Sequence, residues 1–403
     1  MIRINPERFL ADLDALRRIG GCGTGVVRRA LTPEDMEGRR WLARRMAEAG
    51  LRPEWDPVGN LFGIAPEAAG SILIGSHADT QPEGGWLDGA YGVICGLEIA
   101  RAAQESGIGG VSVVAFSDEE GHFQPLMGSR YWTGELSLAD IDGIKDSRGR
   151  TLGAVRSELP ELRDARAVPA SHFSAFIEPH IEQGPVLDTS GEEIAVVTAI
   201  VGMRHVELVF TGDQNHAGTT PMALRRDALQ AFVRYASELD ALFRADAGAA
   251  VWTFGQLDLH PNAVSIVPGR VRALLQIRDG SAEHLEAMAR TAINLAVRLG
   301  AEGPCPIEAK LLSGLEPTLL DQGLILALSG AAADHGRPGC RHMLSGALHD
   351  ASPIARILPA AMLFTPSING KSHSFDEDTR LEHLVLGCEI VAAAAYRYHQ
   401  GAD

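Results

Sequence analysis

The chain has 403 residues, with 52 acidic against 36 basic side chains and a formal charge of −16. That excess argues against nucleic acid and anionic membranes as partners, but an anionic substrate stays compatible wherever a bound cation inverts the local field. The 45% apolar and 22% charged content is that of a globular enzyme, and the length exceeds what one core usually serves, so two domains are expected.

The start, Met1 to Leu10, has no apolar run behind a basic head, and no segment is apolar for long enough to span a bilayer. Neither a signal peptide nor a membrane helix is expected. The cysteines (Cys22, Cys95, Cys305, Cys340 and Cys388) are scattered without a C-x-x-C pair, which suits reduced thiols in a cytoplasm.

Residues 32–50 predict a helix, with Thr32 as N-cap, Pro33 at the first position, Asp35 in the first turn and Gly50 past the end. Strand and helix then alternate to about residue 200. Four apolar runs end in polar ligand types. Ser71–His77 closes on His77, Val111–Phe116 precedes Glu119 and Glu120, the run at Phe176 leads to His180, and Ala361–Phe364 precedes His373. Each reads as a parallel strand whose C-terminal edge carries the ligand, the edge where open α/β sheets place their sites. Asp88 sits in a Gly-rich turn before a helix expected over Gly89–Ser106. Residues 140–169 are polar and irregular, and no element is assigned there.

Beyond Gly202 the texture changes. A strand over Arg204–Phe210, a helix over Arg225–Arg244, strands near Val251–Leu257 and Val271–Ile277, and a helix over Glu283–Leu299 predict a small α+β domain. The fold class expected is α/β, a mixed and mostly parallel sheet flanked by helices. Its catalytic domain is discontinuous, residues 1–203 and 313–403, with the insertion at 204–312.

A lone histidine is usually structural, so the case for a site rests on conjunction. His77, Asp88, Glu120, His180 and His373 supply three imidazoles and two carboxylates, a set that suits two zinc-like ions sharing a carboxylate. Adjacent glutamates allow one to bind metal while the other acts as a base. A metal-bound water is acidified, and a free carboxylate can take its proton and pass it to a leaving amine. Glu120 is assigned to the metal and Glu119 to the base, an order that spacing alone leaves open. Two divalent ions outweigh Asp88 and Glu120, so the cleft suits a carboxylate-bearing substrate.

The strings Gly75–Thr80, Leu87–Val93, Glu119–Gly121, His180–Leu187, Asn215–Met222, Arg225–Ala228, Ser345–Ala351 and Ser372–Ser374 occur in order. With them the chain resembles the M20 metallopeptidase superfamily. More narrowly, it is similar to the branch of N-carbamoyl-L-amino-acid hydrolases, allantoate amidohydrolases and β-ureidopropionases. The resemblance implies one ion held by His77, Asp88 and His180 and another by Asp88, Glu120 and His373, with Glu119 as base. It implies that the insertion is a lid that also makes a homodimer, and that His216 polarises the scissile carbonyl, from the same or the partner subunit. On residues alone the His216 segment reads as a simple turn.

The same resemblance places Gln183, Gly346 and His349 near substrate, and gives Arg278 the substrate's carboxylate. A guanidinium is shaped for that role, although a surface salt bridge is the plainer reading of an arginine ending a strand. This chain departs from the family pattern at three places. Ser265 stands where an asparagine usually aids binding, with Asn262 nearby. Leu348 replaces a glycine before His349, and Lys371 replaces an apolar residue before His373.

The implied activity is hydrolysis of a linear amide C–N bond, first that of an N-carbamoyl-L-amino acid. Alternatives are allantoate or another ureido acid, or an N-acyl or N-formyl amino acid. A non-catalytic binder on the same scaffold is the remote alternative. No G-x-S-x-G elbow supports a serine nucleophile. The cofactor expected is two divalent ions per subunit, zinc first, with manganese, cobalt or nickel as alternatives. The partners expected are a small anionic amide and a second copy of the chain, in the cytoplasm.

Overall fold

The structure is a computed structural model that describes residues 1–66, 70–246, 248–312 and 314–401. By internal contacts the chain divides into two units, Met1–Thr198 with Leu319–Asp403, and Ala199–Thr318. The second unit is wider than the expected 204–312, because the strand Gly202–Thr211 and the backbone bridge between Met203 and Leu315 belong to it.

Strands are numbered along the chain as β1 Arg52–Trp55, β2 Leu61–Ile64, β3 Ser71–His77, β4 Val111–Phe116, β5 Phe173–Ile181, β6 Ala195–Ile200, β7 Gly202–Thr211, β8 Val251–His260, β9 Arg270–Asp279, β10 Ile307–Leu311, β11 Thr318–Leu319, β12 Arg341–Ser345 and β13 Ala360–Thr365. The longer helices are α1 Pro6–Arg18, α2 Pro33–Glu48, α3 Ala90–Glu105, α4 Ala228–Ala245, α5 Ala282–Glu302, α6 Gln322–Asp334 and α7 Leu381–His399.

The sheet of the first unit runs β11-β6-β13-β5-β3-β4-β2-β1, with β12 beside β6. Its centre, β13-β5-β3-β4, is parallel, and β2 and β6 pair antiparallel to the two ends of that centre. Strands β3, β4 and β13 are buried along their whole length. Helix α3 packs on β3, β4 and β5, and α6 and α7 pack on β13. Strands covered on both faces favour apolar residues at most positions, which is why these segments read as largely apolar runs. Phe62, Phe116, Trp132, Phe173 and Phe176 form an aromatic group, with the Phe62 and Trp132 ring centroids 5.6 Å apart.

Helix α2 begins where its punctuation predicts, and Thr32 Oγ1 accepts from Asp35 N. The unassigned stretch 140–169 contains short helices at Leu152–Glu158 and Pro160–Arg163, and another ends at its start, Leu138–Ile141. Ile141, Leu152, Val155 and Leu162 pin these turns against Leu31, Met36, Val58 and Met127. One or two apolar anchors per helix leave no periodic signal in the sequence.

The second unit is an antiparallel sheet, β8-β9-β7-β10, carrying α4 and α5. Val206, Leu208, Phe210, Val271, Leu275 and Ile277 from the sheet meet Tyr235, Leu239, Phe243, Leu285, Ala292 and Leu299 from the helices. Helix α4 starts at Ala228 and not at Arg225. Asp227 is the cap, accepting from Leu229 N and Gln230 N, while Arg225 turns back to the carbonyls of Thr220 and Ala217.

Candidate active site

The candidate ligands stand at or just beyond the C-terminal ends of the four adjacent parallel strands. His77 closes β3, in register with Phe116, and His180 lies near the end of β5, in register with Phe364. Glu119 and Glu120 follow β4, and His373 follows β13. Asp88 lies in the turn before α3. There Gly89 has φ +63°, and a Cβ on it would fall 2.5 Å from the His77 ring, so only glycine lets the two segments meet.

The Asp88 carboxylate is divided between two groups. Oδ1 lies 3.2 Å from His180 Nε2 and 3.6 Å from His77 Nε2, and Oδ2 lies 3.2 Å from His373 Nε2. His373 Nε2 is also 3.5 Å from Glu120 Oε2. Two ligand groups therefore share Asp88. His77, Asp88 and His180 are all buried, whereas Asp88, Glu120 and His373 open to solvent at His373, whose side chain is 49% exposed. Glu119 Oε2 stands 3.7 Å from His77 Nε2.

The surroundings aim these atoms. His77 Nδ1 meets the Asp79 carbonyl at 3.0 Å, and His180 Nδ1 meets the Ile181 carbonyl at 2.9 Å. A carbonyl only accepts, so in the neutral rings Nδ1 carries the proton and Nε2 presents its lone pair. Asp79 accepts from Asp118 N at 3.0 Å and Glu120 N at 3.3 Å, fixing the turn that bears both glutamates. Behind it, the buried Arg39 lies 3.5 Å from Asp79, donates to Asp35 and caps the carbonyls of Gly59, Ala115 and Phe116.

Burial together with the charges of Glu120, Asp350 and Asp88 holds the Glu119 carboxyl well above its usual range, outweighing His77. Burial and Asp88 push Glu120 up to about 7. Against burial, His180, His373 and His77 hold Asp88 well below its ordinary value. The hydrogen bond to Asp88 pushes His373 up to about 9. Burial and His180 keep His349 well below the ordinary imidazole value. The carboxylates crowd one another around a few imidazoles, and a cation seated among them relieves that repulsion. The nitrogen and oxygen donor set, the shared carboxylate and the negative surroundings fit divalent metal.

Gln183 also faces this cluster, donating from Nε2 to Asp88 Oδ2 at 3.1 Å. His349 is buried, its ring centroid 4.5 Å from that of His180 and its Nε2 2.8 Å from Ser345 Oγ. Gly346 and Lys371 are exposed, and Lys371 Nζ pairs with Asp376 at 2.7 Å. His216, Asn262, Ser265 and Arg278 belong to the second unit. His216, Asn262 and Ser265 are exposed there, and Arg278 Nε donates to Gln276 Oε1 at 2.8 Å. Sequence reasoning missed Arg39, Asp79, Gln81 and Glu377. Gln81 Nε2 donates to Glu120 Oε2 at 2.6 Å. Asp79 lay inside the Gly75–Thr80 string, and Asp35 and Arg39 one helical turn apart were the available sign of a buried pair.

The fold and donor set define an α/β protein whose sheet edge carries a site suited to divalent metal. The chain belongs to Peptidase family M20/M25/M40, whose profile matches residues 73–397. It is similar to an allantoate amidohydrolase from Escherichia coli, 33% identical over 93% of this chain and 93% of that one. It is equally similar to an N-carbamoyl-L-amino-acid amidohydrolase from Rhizobium meliloti, 34% identical over 96% of this chain and 95% of that one. A crystal structure of a hydantoinase/carbamoylase-family amidase from Burkholderia phymatum matches with TM-score 0.94 and 42% identity, covering 100% of this chain and 99% of that one.

Proposed function

We propose that this chain is a metal-dependent amidohydrolase that cleaves the carbamoyl group from an N-carbamoyl-L-amino acid. The observation that carries the reading is the divided Asp88 carboxylate, with His77 and His180 on Oδ1, His373 on Oδ2 and Glu119 alongside. His77, Asp88 and His180 would hold one divalent ion, and Asp88, Glu120 and His373 a second, zinc being the first choice. Bound there, such ions polarise a carbonyl and lower the pKa of water. Glu119 takes the proton of the attacking water and delivers it to the departing nitrogen. Gln183 steadies Asp88. His216 is assigned to the carbonyl oxygen, where charge develops in the transition state, and Arg278 to the substrate carboxylate. The products are the free amino acid, ammonia and carbon dioxide.

A second reading, allantoate as substrate, is favoured by the similarity to the Escherichia coli enzyme. Allantoate is itself a ureido acid, so the same machinery serves. Release of ammonia and free amine over N-carbamoyl, N-acetyl, N-formyl and ureido acids, with metal-stripped protein as control, decides between them. Turnover confined to allantoate removes the first reading, and no turnover with any amide removes both.

A homodimer through the second unit completes the proposal. Val251 (59% exposed), Leu257 (46%) and Val264 (102%) leave apolar surface on and beside the edge strand β8. Light scattering on the purified chain tests this, and a monomeric mass removes it. The cytoplasm is the proposed location. Among the described residues the five cysteines are free, and no helix is long and apolar enough to cross a membrane.

A further inference from the structure

Glu377 lies outside both ligand groups, yet it joins the chain segments that supply them. Its carboxylate is buried, 1% exposed. Oε1 accepts from Leu87 N at 3.1 Å and from Asp88 N at 3.0 Å, while Oε2 accepts from Ser372 Oγ at 2.8 Å. Its own N–H closes the turn by donating to the Ser374 carbonyl at 3.1 Å. The backbone of the other segment presses directly on it, since a Cβ on Gly85 would fall 1.9 Å from Oε1. One side chain thus grips the peptide of Asp88 and the residue before His373, two segments remote in sequence. His373 itself has φ 51°, a left-handed conformation that a non-glycine residue keeps only when its surroundings impose it.

We infer that Glu377 is a positioning residue that sets the register of Asp88 against His373, and thereby the affinity of the Asp88–Glu120–His373 group for its metal ion. This rests on the two-ion reading above. The two groups differ in what else holds them. His77 and His180 are fixed by carbonyls behind their rings and lie in strands of the buried sheet. His373 lies on a loop, half exposed, and its alignment depends on the turn that Glu377 and Ser372 close. Asp88 is common to both groups, so loss of the tie weakens the ion at His373 most and the ion at His77 and His180 less. Partners of this kind, removed one at a time, cost about ten- to a hundredfold in metal affinity.

The test is zinc titration of metal-stripped protein against a chromophoric chelator, for the wild type and for Glu377→Ala, Glu377→Gln and Ser372→Ala. The expected result is two ions on the wild type, and a second ion about ten- to a hundredfold weaker on Glu377→Ala with the first affected less. Glu377→Gln restores most of the affinity, because its carbonyl still accepts from both backbone N–H groups and its amide reaches Ser372 Oγ. Two ions of wild-type affinity on Glu377→Ala overturn the inference. A Gln variant as weak as the Ala variant also overturns it, since charge and not register would then be at work. If Glu377→Ala does not fold, Ser372→Ala decides, and unchanged affinity of its second ion overturns the inference. A wild-type chain that takes fewer than two ions overturns the two-ion reading and this inference with it.

Discussion

Oδ2 of Asp88 stands 3.2 Å from Nε2 of His373, although one residue precedes a helix early in the chain and the other lies near its end. His373 is the most exposed of the five candidate ligands and is the one brought in from the last strand of the sheet. Replacing it with alanine removes a donor from one group and leaves the buried His77–Asp88–His180 group whole. The expected outcome is a fall in metal content per chain towards half. Elemental analysis checks this, and wild-type stoichiometry in His373→Ala removes the residue from the ligand set.

Glu119 is adjacent to Glu120 in the chain, but it faces the other group, 3.7 Å from His77. If Glu119 is the proton carrier, it is needed for turnover and not for holding metal. Glu119→Gln keeps the shape and loses the proton acceptor. Metal content is expected to stay at the wild-type level while kcat falls by about a hundred- to ten-thousandfold. A kcat close to wild type removes Glu119 as the base.

What the sequence made legible follows from the physics of a buried parallel sheet. Strands β3, β4 and β13 are covered on both faces, so they appear as apolar runs that stop abruptly, and the polar residue at each stop marks the sheet edge. His77, Glu120, His180 and His373 could be picked that way, with Asp88 from its Gly-rich turn. Glu377 could not, and Arg39 showed only its helical pairing with Asp35. Their importance lies in donors and acceptors contributed by distant segments, which no local pattern encodes. The start of α4 was misplaced because Arg225 and Arg226 fit a helix by propensity, whereas the Asp227 cap decides where the helix begins.

Arg278 is held at Nε by Gln276, whose Nε2 lies 2.9 Å from His205 Nε2 on the neighbouring strand. Gln276 is a neutral amide, and its hydrogen bond orients the guanidinium. If Arg278 anchors the substrate carboxylate, Arg278→Gln raises KM for N-carbamoyl amino acids by about ten- to a hundredfold, the scale of one charge-assisted hydrogen bond. For the matching amides without a carboxylate KM changes little. Equal losses on both substrate sets remove the anchoring role.

His284 gives the second unit a pH dependence. Its Nε2 is 2.8 Å from Asp246 and its Nδ1 is 3.1 Å from Asp279. The hydrogen bond to Asp246, aided by Asp279 and opposed by burial, raises its pKa above the ordinary 6.5. A raised folded-state pKa means that the charged form stabilises the fold. That stabilisation is complete below 6.5 and is lost as pH climbs through the raised value. The melting-temperature gap between the wild type and His284→Ala is therefore expected to be widest in mild acid and to close in mild alkali. A gap that is constant with pH rejects the linkage.

Arg39 carries the last expectation, because it combines stability with function. Its side chain is fully buried with Asp35 and Asp79, and its N–H groups also cap the carbonyls of Gly59, Ala115 and Phe116. Taking three charges out of water is costly, and the arrangement holds because each charge has a partner. Arg39→Met keeps the volume but strands two carboxylates and three carbonyls, a loss on the order of 3–5 kcal/mol. Arg39→Lys keeps the charge but not the fork, so it falls between the two. Asp79, once released, no longer fixes the N–H groups of Asp118 and Glu120, so metal affinity falls along with stability. Urea midpoints and zinc titration on the three proteins should therefore rank in the same order, wild type above Lys above Met. A methionine variant with the wild-type midpoint would show that burying this ion pair contributes nothing to the fold. An unchanged zinc affinity would show that Asp79 holds the glutamate turn without help from Arg39.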